Sequence, residues 1–89
     1  METGVGLTVK GVVTGYTKGK ALVRLESSKF TGIIALKDYE GLDENDTLEK
    51  VFPIGKQLLC KIIEYSREGD KRLIRLSTLN KFFKKYEGL

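Results

Sequence analysis

The sequence predicts an all-β domain, a small five-stranded barrel, closed or partly open, with a short C-terminal helix. Three observations carry this: five short segments rich in β-branched and aliphatic residues, glycine-bearing turn signals between them, and one long connection without strand alternation.

The first segment, LTVKGVVTGY at 7–16, is interrupted by Gly11, which within a strand marks a bulge or sharp bend. ALVRL at 21–25 alternates, with Ala21, Val23 and Leu25 on one face and Leu22 and Arg24 on the other. The intervening TKGK supplies a glycine for positive φ, so 7–25 is expected to form a hairpin. A second hairpin is expected through Glu26-Ser27-Ser28-Lys29 into FTGIIAL. LKDYEGLDENDTLEKVFPIGK is dense in turn formers and holds the single proline, Pro53, which predicts an irregular connection with one helical turn. QLLCKIIEY at 57–65 is the fourth strand, REGDK a turn centred on Gly69, and RLIRLS at 72–77 the fifth. In the tail, Leu79, Phe83 and Tyr86 fall at helical spacing.

A chain of 89 residues makes one domain, burying about 60% of the surface its unfolded form exposes. One cysteine, Cys60, and no histidine leave neither a disulfide framework nor a Cys/His zinc site, and point to a reducing, intracellular setting, whether cytoplasmic, nuclear or nucleolar. No run approaches the roughly 18 apolar residues of a membrane helix, and no signal peptide is visible. No membrane partner is expected.

Charge is uneven. Residues 1–37 carry +4, residues 38–55 carry −5 and residues 56–85 carry +6. A basic body with an acidic insert suits a polyanion bound on one face.

The stretch GYTKGKA imitates a phosphate-binding loop, but the span from Gly15 to Gly19 is one residue short and Ala21 lacks the hydroxyl that would bind magnesium. Without a histidine base, and with Cys60 inside an apolar strand, no catalytic residue is assigned and the chain is read as not an enzyme. Asp43, Glu44 and Asp46 miss the EF-hand spacing and read as a solvated loop. No metal or cofactor is expected.

The ordered series Gly11-x-Val13, Ala21-x-Val23, Gly32-Ile33-Ile34, Phe52-x-Ile54-Gly55-Lys56, Cys60-Lys61-Ile62 and Leu76-Ser77 resembles the S1 RNA-binding domain, an OB-fold module. The resemblance spans residues 7–77 and leaves 78–89 as a helical extension or linker. It implies a Greek-key barrel binding single-stranded RNA, such as rRNA or mRNA, mainly on strands two and three. Such modules occur as repeats of larger proteins of ribosome biogenesis and RNA processing, where linkage compensates for weak single sites.

Departures from the family pattern are specific. Gly19-Lys20-Ala21-Leu22 stands where the family has Phe-Gly-Ala-Phe, Ala35 replaces the histidine of strand three, and Ser66 aligns with the aspartate ending strand four. The arginine of the last hairpin is matched by Arg72 in one register and by Leu73 in another. Loss of two stacking platforms costs about 30-fold to 10⁴-fold in affinity. The remaining candidate RNA contacts are Lys10, Lys18, Lys20, Arg24, Lys61, Arg72 and Arg75, with Leu22 at the vacated aromatic position. Among the aromatics offered as substitute platforms, Tyr16 reads as core, while Phe30 and Tyr65 stay open between core and surface.

The expected function is therefore weak, sequence-tolerant binding of single-stranded RNA. The alternative is a degenerate S1 domain that has become a protein-interaction module, contacting a partner or other domains of the same chain through Leu22 or the Phe82–Tyr86 tail. For that tail, closing the bottom of the barrel is the preferred reading.

Overall fold

The structure, a computed structural model, describes residues 4–26 and 30–88. Five strands, β1 (Thr8–Thr17), β2 (Lys20–Leu25), β3 (Thr31–Ala35), β4 (Gln57–Glu68) and β5 (Lys71–Ser77), close a barrel in the order β1-β2-β3-β5-β4. All neighbours are antiparallel except β3 and β5, which run parallel. This is the strand order of an OB-type Greek-key barrel. Two short helices accompany it, α1 (Leu48–Val51) and α2 (Asn80–Lys85). Among the described residues no helix is long and apolar enough to cross a membrane.

β1 is long enough to serve both walls because it pairs first with β4 and then with β2, with a register shift between Val13 and Gly15. The irregularity thus falls after Gly11, not at it; Gly11 is required for close approach, since a Cβ there would collide with Val23. Gly32 answers the same need in β3, since a Cβ there would come within 2.8 Å of Leu76 and 3.1 Å of the Val23 carbonyl oxygen. The alternating inward residues Val13, Ala21, Val23, Leu25, Ile34, Leu58, Cys60, Ile62, Ile74 and Leu76 fill the interior, joined by Val51 and Phe52.

The connection from β3 to β4 contains a 3-10 turn at Leu36–Asp38 and the single turn of α1, capped by Thr47, whose hydroxyl accepts from the Lys50 amide. Its end explains the FPIGK stretch. Phe52 is buried in the core, its carbonyl accepts the Tyr16 hydroxyl at 2.7 Å, and Tyr39 meets its ring edge-on. The Gly55 amide donates to the Val13 carbonyl while the Val13 amide donates to Lys56, hooking the loop onto β1. Lys56 turns inward to the Tyr39 hydroxyl and the Val51 carbonyl. Tyr16 thus packs against the core, as its sequence position suggested.

One expectation needs adjusting. β4 extends to Glu68, three residues beyond the predicted strand, so the last turn is only Gly69-Asp70. The expected turn at Ser27-Ser28-Lys29 lies outside the described residues, although β2 and β3 are antiparallel neighbours.

Candidate nucleic-acid interface

Strand pairing sets the outer face of β2, β3 and β5 in rows. Lys20 is opposite Ala35; Leu22 is opposite Ile33, which pairs with Arg75 and so with Glu64; Arg24 is opposite Thr31, which pairs with Leu73. Because period-two alternation sends Ala21 and Val23 inward, Lys20, Leu22 and Arg24 must point out together. The middle row is apolar only where β2 meets β3, with Leu22 half-buried and Ile33 only 6% exposed though outside the core cluster, and it continues as the Arg75–Glu64 ion pair. Exposed Lys20 and Arg24 flank it, and among the described residues neither is in a salt bridge. The result is a half-exposed Leu22 backed by the buried Ile33 and bordered by two cations free to meet phosphates.

The other sequence candidates divide. Lys18, in the β1–β2 turn, forms an ion pair with Glu68 near the tip of the β4–β5 hairpin. Lys18 first, then Lys20 and Lys71, hold the Glu68 carboxyl below the usual carboxylate range. The two hairpin tips therefore meet over a small cluster of lysines. Arg75 is half-buried and shared between Asp38 and Glu64, both at 3.4 Å, so its charge is internally compensated. Asp38 is itself buried; its carbonyl accepts from Ser77 and Thr78, and this anchors the end of the acidic connection to the end of β5. Lys10 stands on β1 away from this face, lining a separate groove of about 230 Å³ with Glu26, Gln57 and Leu59.

Lys61 is the correction. It is 3% exposed, its ammonium donates to the carbonyls of Gly6 at 3.0 Å and Tyr86 at 3.1 Å, and it lies over the Phe83 ring. A lysine so enclosed holds chain segments together and does not meet a ligand. The tail accordingly rests against β4 through this lysine, and its Phe82, Phe83 and Tyr86 are half-buried.

One residue that the sequence reading left open is resolved here, and another escaped it. Phe30, immediately before β3, is 39% exposed, with the Arg72 guanidinium 5.9 Å from its ring centre. Arg67, assigned to a turn, belongs to β4 and faces Arg72 across the ladder. The signal for Arg67 was the Gly69-Asp70 pair, whose two-residue turn fixes that register.

Burial pushes the Cys60 thiol up to about 12, which makes it inert as a nucleophile at neutral pH. Among the described residues no group of three or more His, Cys, Asp or Glu side chains is placed to hold a metal ion.

No protein-family model and no curated protein matches the chain. Solved structures do. An uncharacterized protein of Methanocaldococcus jannaschii is similar with a TM-score of 0.64 and 25% identity, over 89% of this chain and 96% of that one. GSP13 from Bacillus subtilis is similar with a TM-score of 0.57 and 26% identity, over 82% of this chain and 53% of its own. A multidomain protein with nucleic acid binding domains from Streptococcus pneumoniae has a TM-score of 0.63 at 17% identity, over 86% of this chain but 23% of its own. The chain thus spans about a quarter of one of these proteins and about half of another, and what it shares with all three is the overall fold.

Proposed function

We propose that this chain is a single-stranded nucleic-acid-binding module, with RNA as its ligand, acting through the outer face of β2, β3 and β5. The observation that carries the reading is the Leu22–Ile33 strip bordered by exposed Lys20 and Arg24. Shared architecture with a multidomain protein described as having nucleic acid binding domains supports it. So does the resemblance of residues 7–77 to S1 domains, whose RNA face is built on the same two strands.

Binding by such a face is weak and tolerant of sequence, because charge and apolar contact carry no base code. An S1-type repeat within a larger intracellular RNA-processing protein, such as one of ribosome biogenesis, accommodates a weak site through effective concentration.

Fluorescence anisotropy with a labelled 12-nucleotide oligouridylate at several salt concentrations tests this. We expect micromolar affinity whose logarithm falls against log salt with a slope of about −2, three phosphates being engaged. Lys20→Ala with Arg24→Ala should remove about 1.4 from the magnitude of that slope. The same length of DNA reports preference for the 2′-hydroxyl. Absence of salt-dependent binding up to high micromolar RNA would sink the reading and favour a protein-interaction module.

A further inference from the structure

A second feature lies at the end of the barrel where β3 and β5 begin. These strands run parallel, with Thr31 opposite Leu73, so the residues just before that pair, Phe30 and Arg72, come side by side. The guanidinium carbon stands 5.9 Å from the centre of the Phe30 ring, which remains 39% exposed.

Arg72 also has Arg67 directly across the β4–β5 ladder, and both side chains are exposed. Residues paired in this way share a face, and like charges so placed repel. The chain has twelve acidic residues, yet among the described residues no carboxylate forms a salt bridge with either arginine. The neighbouring Glu68 is turned to Lys18 instead. Two uncompensated guanidiniums beside an exposed ring make a local arrangement that an anion joined to a flat aromatic group would relieve. Guanidiniums bind phosphate oxygens in paired hydrogen bonds and aromatic rings stack on bases, so one nucleotide supplies both parts.

We propose that Phe30, Arg67 and Arg72 form a nucleotide subsite at the rim of the barrel, in which a base stacks on Phe30 and its phosphate lies between the two arginines. It deepens the reading above, on which it rests, by placing an aromatic platform at the start of β3 where β2 offers only Leu22.

The experiment uses the 89-residue chain and the same oligouridylate. Phe30→Ala should weaken binding about 5- to 100-fold, the loss of one stacked base. Arg67→Gln, Arg72→Gln and the double variant should each reduce the magnitude of the salt slope by about 0.7, because one phosphate is shared. The chain contains no tryptophan, so Phe30→Trp introduces a lone indole whose fluorescence RNA should quench. This variant decides the matter if Phe30→Ala fails to fold. An unquenched indole in a variant that binds normally, or Phe30→Ala binding within twofold of the parent, overturns the subsite while leaving the wider reading intact. A slope change near 1.4 in the double variant means two separate phosphates and overturns the shared site. No binding by the parent chain overturns both.

Discussion

Glu68 sits among Lys18, Lys20 and Lys71, which hold its carboxyl below the usual carboxylate range, and in the proposed function it stands where a phosphate would lie. Its side chain is exposed, so its ion pair adds little to stability, but in the proposed function it competes with a polyanion for the same cations. Glu68→Gln should therefore tighten oligouridylate binding and steepen the salt slope by about 0.7 as Lys18 is released, measured by the same anisotropy titration. At this scale the sequence was an uneven guide. It placed Arg24 on the outer face of the second strand, because alternation alone decides where it points, whereas Lys20, read as part of the TKGK turn, opens that strand. It gave no sign that Lys18 and Arg75 meet carboxylates fifty and thirty-seven positions away, or that Lys61 is enclosed, since these depend on how distant strands and the tail come together.

The β1–β2 turn carries positive φ at both central positions, 48° at Lys18 and 76° at Gly19, as a two-residue type I′ hairpin requires. Glycine accepts this freely, whereas lysine in the left-handed region costs about 1–2 kcal/mol. The exposed, solvent-screened Lys18–Glu68 pair returns little, so strain outweighs it. Lys18→Asn should consequently stabilise the fold by about 1 kcal/mol, a rise of about 4–8 °C in Tm on thermal denaturation. The glycine turn was legible because it is local chemistry. The β4–β5 hairpin was read three residues short because SRE carries no alternation of its own; its pairing is enforced by the Gly69-Asp70 turn and by β5 opposite. That misreading is why Arg67 was placed in a loop.

For the whole molecule, the barrel was legible because five strand-sized segments with one long connection leave few arrangements that bury every apolar face, while the sequence left open whether it closes, as it does. The parallel contact of β3 with β5, which brings Phe30 to Arg72, follows from closure and from no local signal. Phe52 shows the same dependence: it is buried in a loop whose following residues, Gly55 and Lys56, are hooked to Val13.

Lys61 also has a topological meaning. By holding the Gly6 and Tyr86 carbonyls on one nitrogen, it brings the chain's entry to and exit from the barrel to a single point. A fold whose two ends touch does not depend on where its backbone is cut. Joining the ends through a short Gly/Ser linker and reopening the chain between Gly69 and Asp70 should give a circular permutant with the parent's circular dichroism spectrum and cooperative melt. A permutant that fails to melt cooperatively would show that the order of strand synthesis, not the closed barrel, sets the fold.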